Sequence, residues 1–158
     1  MGGSKKKKDN AKNKGFTLLE MLLVLSILAI LSIISVSSYY GLRERQSLKK
    51  DADSIVSIIE STKNMSLNRK NDSSYGVYFS TSTVTVFVGD SYVNGNKISN
   101  YNLESNVKIS AVSISSNSRE IEFAKITGNP NATGTITLST PSYSKVLTIY
   151  GTGMIDLK

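Results

Sequence analysis

The chain places one acidic side chain where it is least expected. Glu20 lies five residues after Gly15, within an otherwise apolar run that begins at Phe16. An ionised carboxylate at the depth of a bilayer costs several kcal/mol unless a cation or hydrogen-bond donors compensate it. Glu20 therefore indicates a specific partner, and the elements around it must bring that partner close.

Catalytic chemistry has few residues available here. The sequence holds no His and no Cys, which excludes disulfides, cysteine-based metal sites and every Ser-His or Cys-His arrangement. Catalysis would have to depend on carboxylates, lysine or tyrosine alone, so we expect neither an enzyme nor a cofactor. Asp90, Asn94 and Asn96 offer oxygen ligands suited to Ca²⁺, but these residue types also favour a turn, and no metal site is predicted.

The positive charge of the chain is concentrated at its N-terminus. The formal net charge is +7, and residues 1–15 hold six lysines and one aspartate, a net of five of those seven charges. The remainder is close to neutral. The basicity therefore marks a leader and does not indicate a nucleic-acid-binding domain.

The apolar run has the length of a membrane span. From Phe16 it extends for about 20 residues, which crosses roughly 30 Å of hydrocarbon as a helix, and its polar residues after Met21 are Ser26, Ser32 and Ser35. The lysines ahead of it predict a cytoplasmic N-terminus. Three interpretations compete: a secretory signal cleaved after the run, a plain signal anchor, and a signal cleaved ahead of the run. The first two leave Glu20 beside Gly15 unexplained.

The stretch KGFTLLEMLLVL, from Lys14 to Leu25, resembles the class III signal of type IV prepilins and type II secretion pseudopilins. The resemblance implies cleavage between Gly15 and Phe16 on the cytoplasmic side by the prepilin peptidase. It also implies N-methylation of Phe16 by the same enzyme. Glu20 stands at the acidic position of this family.

The resemblance also supplies the expected partner of Glu20. After cleavage, Phe16 bears a cationic α-amine, and the family's acidic residue is thought to meet this amine on a neighbouring subunit. The attraction between the two charges is far stronger in a low dielectric than in water. Glu20 is therefore expected to set the register of assembly. The implied partners are other pilins or pseudopilins, the prepilin peptidase/methyltransferase, a platform protein of the cytoplasmic membrane and the lipid bilayer.

Beyond the apolar run, the sequence predicts a continuing amphipathic helix. Leu48, Ala52, Ile55, Ile59 and Thr62 recur at spacings of four and three, which is typical of one buried stripe. The residues placed between them, as a polar side, are Asp51, Asp53, Glu60 and Lys63. The segment KNDSSYG, residues 70–76, predicts the end of this helix.

From Tyr75 onward the apolar period changes from 3.6 to 2. About seven short strands are predicted, among them YGVYFS, TVTVFV and REIEFA, and Asn94–Gly95 indicates a tight turn. In REIEFA, Ile121 and Phe123 are expected to point one way and Glu120 and Glu122 the other. The loop TGNPNATG and the terminal turn YGTGMIDL are similar to those of GspH/FimT-type minor pseudopilins.

These patterns together predict an α+β protein with the type IV pilin fold, in which a long N-terminal helix packs on an antiparallel β-sheet head. The expected segments are a cleaved leader (residues 1–15), a transmembrane and assembly helix (16–37), its amphipathic continuation (38–70) and an exported β-rich head (71–158). The helix would cross the cytoplasmic (inner) membrane once, with the head outside, and join a pilus or pseudopilus at the cell surface.

The function implied by the resemblance is that of a minor pilin or pseudopilin, a structural subunit of a type IV pilus or a type II secretion pseudopilus. The alternative is a DNA-binding minor pilin of a transformation pilus. DNA phosphates could meet either of two basic sets on the helix, which are Arg43, Arg45, Lys49 and Lys50, or Lys63, Arg69 and Lys70. Their other explanation is a solvated helix face or, for the first set, attraction to anionic lipid head groups.

Overall fold

The structure is a computed structural model that describes residues 15–68 and 73–158, with the side chains of residues 34–38 left out. The chain divides into two compact units, one ending at Tyr39 and one running from Tyr40 to Lys158. Three predicted features lie outside the described part. They are most of the leader (1–14), the side chains at the end of the predicted span (34–37) and the first residues of the predicted helix stop (70–72).

One α-helix, α1, runs from Leu18 to Leu67 and passes through the boundary between the units. Within the second unit, one stripe of α1 is buried. Its members are the five residues predicted from the apolar spacing, and their exposed fractions are 3% or less: Leu48, Ala52, Ile55, Ile59 and Thr62. The predicted amphipathic helix is confirmed.

Within the described residues, eight antiparallel strands form two four-stranded sheets. The first sheet has the order β3-β2-β1-β5 and the second the order β4-β6-β7-β8. The strands are β1 Tyr75–Phe79, β2 Thr83–Val88, β3 Asn96–Asn102, β4 Lys108–Ile114, β5 Glu120–Phe123, β6 Gly134–Ser139, β7 Ser144–Ile149 and β8 Ile155–Leu157. The predicted α+β architecture, a helix packed on antiparallel sheets, is confirmed.

The helix stripe and both sheets share one hydrophobic core. Phe79 and Phe123 contribute to it from the first sheet, and Leu138 and Leu147 from the second. In β5 the predicted alternation is present, since Ile121 and Phe123 are buried while Glu120 and Glu122 are only half-buried. Each sheet needs a cover for its apolar face, and the stripe on α1 covers both.

The predicted tight turn at Asn94–Gly95 is longer than expected. Val88 pairs with Asn96, so seven residues connect β2 and β3. The Gly95 amide donates to the Ser91 carbonyl at 2.8 Å. A Cβ on Gly95 would lie 2.6 Å from that carbonyl oxygen and 2.7 Å from that of Val88. Glycine is therefore required by close backbone approach in a wide turn, and not by a two-residue hairpin turn.

Gly76 makes room for a core aromatic ring. It pairs with Phe87 across β1 and β2, and a Cβ at Gly76 would overlap the Phe87 ring, which is fully buried. We expect Gly76→Ala to destabilise the second unit by about 3 kcal/mol, because overpacking forces a ring or a strand to move. The measurement is the denaturation midpoint in urea, followed by tyrosine fluorescence.

The matched control for Gly76→Ala is Gly151→Ala. Gly151 lies in a turn, and a Cβ there would meet nothing closer than the Thr133 methyl carbon at 3.7 Å. The control should leave the midpoint within the scatter of the wild type. Equal midpoints for both variants would contradict the packing argument.

Candidate functional site

The predicted cleavage position lies ahead of the helix. Residues 15–17 are not helical, Phe16 is 77% exposed, and open space surrounds Gly15. Thr17 caps the helix, since its hydroxyl oxygen accepts a hydrogen bond from the Glu20 amide at 3.2 Å. The Gly15–Phe16 bond thus lies in an exposed, non-helical stretch.

Thr17 is a functional residue whose role the motif alone did not reveal. Its spacing from Glu20 fits the capping box, in which Ser or Thr at the N-cap is followed three residues later by Glu or Gln. Glu20 also lies in the first turn of α1, where a carboxylate interacts favourably with the helix dipole. Glu20 therefore has a local role in starting the helix as well as the predicted role in assembly.

The Glu20 side chain is exposed. Among the described residues its carboxylate forms neither a side-chain hydrogen bond nor an ion pair. Its first-turn position leaves the carboxylate available for a cation supplied by another chain. The structure places Gly15, Phe16 and Glu20 within one short stretch, but cleavage, methylation and assembly at these residues stay predictions.

The first unit presents apolar side chains on all sides of its helix. The exposed fractions of its large apolar residues from Phe16 to Ile33 range from 45% to 83%. Ser26 and Ser32 donate their hydroxyl groups to carbonyls of Leu23 and Leu28, both at 2.7 Å, which satisfies these groups within the helix. Over the residues that the structure describes, no helix meets the length and hydropathy required to cross a membrane.

Asp51 anchors the helix to the head, and its placement corrects the sequence analysis. It was assigned to the polar side of α1, but it is fully buried. Its carboxylate accepts hydrogen bonds from the Tyr101 hydroxyl at 2.8 Å and the Glu104 amide at 2.9 Å. The sequence did indicate that Asp51 could be buried, because Asp51 lies three residues after Leu48 and four before Ile55, at the edge of the apolar stripe.

An exposed ion pair stands beside this anchor. Lys50 Nζ lies 2.6 Å from Glu104 Oε1. The hydrogen bond and charge of Lys50 lower the pKa of the Glu104 carboxyl, whereas burial raises the pKa of the Tyr101 hydroxyl. At neutral pH Glu104 is therefore ionised, as its pairing with Lys50 requires, and Tyr101 is protonated, as its donation to Asp51 requires.

Three residues of the two basic sets proposed for DNA contact the head. Arg45 lies over the Tyr143 ring at 4.5 Å, and Lys50 pairs with Glu104. Lys63 donates to the carbonyls of Thr152 and Gly153. Arg69 and Lys70 lie outside the described residues. DNA binding through these sets stays a prediction.

Two half-buried tyrosines form a small aromatic cluster on the first sheet. Tyr78 and Tyr92 stack with ring centroids 3.9 Å apart, and the Lys97 ammonium lies 4.5 Å from the Tyr92 centroid. The Tyr92 ring is therefore already in contact with both neighbours. The cluster holds the β2–β3 connection on the sheet.

Two of the residues considered as Ca²⁺ ligands form hydrogen bonds within the head. Asp90 accepts a hydrogen bond from the Ser74 hydroxyl at 3.1 Å, and the Asn94 amide donates to the Ser91 hydroxyl at 3.3 Å. Within residues 15–68 and 73–158, no group of three or more His, Cys, Asp or Glu side chains is arranged to hold a metal ion.

Glu122 lies near two other carboxylates, and this gives it a pH-dependent effect on stability. Partial burial is the main cause that raises the pKa of Glu122, and the charges of Asp90 and Glu120 raise it further. A carboxyl with a raised pKa in the folded state favours folding at low pH, and this contribution is lost as the pH rises through the folded pKa. Glu122→Gln should therefore raise the urea midpoint at pH 7.

The gain from Glu122→Gln should vanish below a pH of about 4, the ordinary range of a glutamate in the unfolded chain. Urea titrations of variant and wild type at both pH values measure it. Glu60→Gln, an exposed helix position, provides a charge-matched control and should show no such dependence. A Glu122→Gln variant less stable than the wild type at pH 7 would contradict the prediction.

Two comparisons with known proteins found a similarity, one in the N-terminal sequence and one in the fold. Residues 10–36 match the family model described as the prokaryotic N-terminal methylation motif. No curated protein sequence matches the chain significantly. The structure is similar to that of the minor pseudopilin EpsH from the type 2 secretion system of Vibrio cholerae, with a TM-score of 0.57 and 12% identity. The match covers 71% of this chain and 96% of the EpsH chain.

The methylation motif covers the stretch that contains Gly15, Phe16 and Glu20, and the structural match extends over most of the chain. The resemblance stated from the sequence is thereby confirmed: residues 10–36 carry a prokaryotic N-terminal methylation motif, and the fold is similar to that of a minor pseudopilin.

Proposed function

We propose that this protein is a minor pilin or pseudopilin, a non-catalytic subunit of a type IV pilus or a type II secretion pseudopilus. The observation that carries the proposal is the joining, in one chain, of a prepilin-type methylation motif to the fold of a minor pseudopilin. The motif supports recognition by the assembly machinery. The compact β head supports a role at the tip or surface of a filament.

Processing is proposed at the N-terminal stretch. The prepilin peptidase cleaves after Gly15 and methylates the new N-terminus at Phe16. The non-helical backbone of residues 15–17 and the exposure of Phe16 support this step. The Thr17 cap supports it further, because α1 can begin at Leu18 without the leader.

The apolar surface of the first unit supports the proposed insertion and assembly. Residues 16–37 cross the cytoplasmic membrane once, with the N-terminus in the cytoplasm and the head outside. A helix that is apolar all round requires a lipid or protein cover. In the membrane this cover is lipid, and in the filament it is the helices of neighbouring subunits. Glu20 then meets the α-amine of Phe16 on a neighbouring pilin.

Mass spectrometry of sheared cells tests this function. A peptide that begins at N-methyl-Phe16, recovered at low stoichiometry in sheared filaments, would support a minor pilin of a surface pilus. The same peptide found only in membranes would support a short secretion pseudopilus. An intact Met1 leader in both fractions would contradict the proposed processing and assembly.

A cleavage-site variant sharpens this test. Gly15→Leu alters the residue after which cleavage is proposed, and open space surrounds Gly15, so folding should be unaffected. We expect the uncleaved precursor to accumulate in membranes and to be absent from filaments. Gly41→Ala, inside α1 and with its nearest neighbour at 3.7 Å, is the matched control and should be processed normally.

A further inference from the structure

The first sheet has an open edge at β3. This strand pairs with β2 on one side and, within the described residues, with no strand on the other, and its residues 96–100 and 102 are exposed. A bulge leaves Ile98 without a partner in β2. The opposite edge of the sheet, β5, is covered by the loop that follows it, since residues 129–131 form backbone hydrogen bonds with that strand.

The backbone of Asn100 and Asn102 points away from β2. The Leu103 amide donates to the Ser82 carbonyl at 3.0 Å. Hydrogen-bonded and non-bonded pairs alternate along an antiparallel ladder, so Tyr101 is in a bonded pair as Leu103 is, and Asn100 and Asn102 are in non-bonded pairs. Their outward N–H and C=O groups form no backbone hydrogen bond within the described residues. Such unpaired groups can hydrogen-bond an added strand.

Two grooves follow this edge, between β3 and α1. The first has a volume of about 250 Å³ and a largely apolar lining that includes Ile58, Met65 and Ile98, with Ser99 at its border. The second has a volume of about 550 Å³, is bordered by Tyr101 and shares Ile58 with the first. Ser99 and Tyr101 are two residues apart on one face of the strand. The two grooves therefore repeat with the period of an extended chain.

The second groove has an acidic lining. The ionised residues in its wall are Lys50 and Asp53, and Lys50 Nζ lies 2.6 Å from Glu104 Oε1, so that the positive charge already faces a full negative one. Asp53 is exposed and, within the described residues, forms neither an ion pair nor a side-chain hydrogen bond.

The other charges nearby do not cancel that of Asp53. Lys49, one turn earlier on α1, is exposed, does not line the groove and forms no ion pair within the described part of the chain. Asp51 is buried behind Tyr101 and is bonded only by neutral donors. From Lys49 to Asp53, together with Glu104, three negative charges stand against two positive ones. The second groove therefore favours a cationic side chain.

We propose that the β3 edge binds an extended segment of a partner protein by strand addition. The segment runs antiparallel to β3, as every neighbouring strand in the sheet does. It places a Lys or Arg in the second groove and, two residues later, an aliphatic side chain in the first. Hydrogen bonds to the backbone of Asn100 and Asn102 provide affinity, and the two grooves provide specificity. This binding site is independent of filament assembly and goes beyond the proposed function.

A dye-labelled peptide, Thr-Thr-Lys-Thr-Leu-Thr-Thr, tests the site on the detergent-solubilised full chain by fluorescence anisotropy. Its middle threonine lies opposite Asn100, so that the N–H of this threonine points to β3, whereas the N–H of the leucine points away. N-methylation of the middle threonine should weaken binding about tenfold, the effect of a lost hydrogen bond. N-methylation of the leucine should leave the affinity unchanged. Exchanging the lysine and the leucine should also weaken binding.

Two protein variants test the two sides of the site. Asp53→Lys should weaken binding of the lysine peptide about threefold and strengthen that of a peptide with Glu in place of Lys, because the ion pair is solvent-exposed. Glu60→Lys makes the same charge change at an exposed position of α1 that lines neither groove, and it should have no effect. Asn100→Pro removes one outward N–H, which an edge strand tolerates, and should weaken binding of every peptide.

Urea midpoints equal to that of the wild type show that the variants are folded. Equal affinities of the two N-methylated peptides would overturn strand addition. Affinities that do not respond to Asp53→Lys would overturn the assignment of the second groove. A concentration-dependent dimer that Asn100→Pro abolishes, without binding of any peptide, would overturn the partner segment in favour of a second copy of this chain.

Discussion

Glu20→Ala is expected to leave the protein cleaved and methylated but to remove it from sheared filaments. Cleavage depends on the stretch around Gly15, whereas assembly places the Phe16 amine in an apolar setting that needs a counter-charge. Leaving a buried charge without its partner costs about 3–5 kcal/mol. Incorporation should therefore fall at least about a hundredfold, measured as the ratio of N-methyl-Phe16 peptide in filaments to that in membranes.

Two variants separate the charge of Glu20 from its place in the first turn of the helix. Glu20→Gln keeps a side chain of nearly the same size and the backbone amide that donates to Thr17, but it removes the charge. We expect it to fail in assembly as Glu20→Ala does. Glu60→Ala, an exposed carboxylate on the same helix, should assemble normally. Normal incorporation of Glu20→Gln would show that the register role assigned to the charge is wrong.

Asp51→Ala is expected to lower the free energy of unfolding of the second unit by about 3 kcal/mol. The substitution leaves the Tyr101 hydroxyl and the Glu104 amide without their acceptor, and hydrogen bonds to a charged group contribute about 1.5–3 kcal/mol each. The sequence has eight tyrosines and no tryptophan. Tyrosine fluorescence during urea denaturation of the detergent-solubilised chain therefore measures the effect as a lower midpoint.

The control for Asp51→Ala is Asp53→Ala, two residues further along α1 and exposed. It removes the same charge without breaking a described hydrogen bond, and surface changes of this kind usually stay within about 0.5 kcal/mol. Asp51→Asn keeps an oxygen acceptor and should fall between the two. An unchanged midpoint for Asp51→Ala would mean that the anchor between α1 and the first sheet contributes nothing to stability.

Local pattern was sufficient for much of this fold. The spacing of Leu48, Ala52 and Ile55 predicted the buried stripe, because a helix brings residues three and four apart onto one face. The alternation in REIEFA predicted which residues of β5 are buried, because successive side chains of a strand point to opposite faces. Both rules depend only on the geometry of a single element, so one sequence reveals them.

Features that join distant parts of the chain were not predictable in this way. The turn that contains Gly95 is wider than Asn94–Gly95 indicated, and the reason is the approach of the Val88 and Ser91 carbonyls. The division of the strands into two sheets depends on which strands pair, with β5 returning to β1 after β4 has started the second sheet. No local pattern encodes such pairings, because the partners are separated by dozens of residues.

The N-terminal stretch is the part of this protein that the sequence determined by itself. Gly15, Phe16 and Glu20 lie within six residues of one another, so their types and order carry the motif without any tertiary contact. The tertiary structure alone decided that Asp51 is buried and that Glu44 accepts a hydrogen bond from the Ser142 amide. Whether a polar group is buried or paired depends on what the rest of the fold brings against it, and those neighbours come from β3, the β3–β4 connection and the β6–β7 turn, 50 to 98 residues away in the chain.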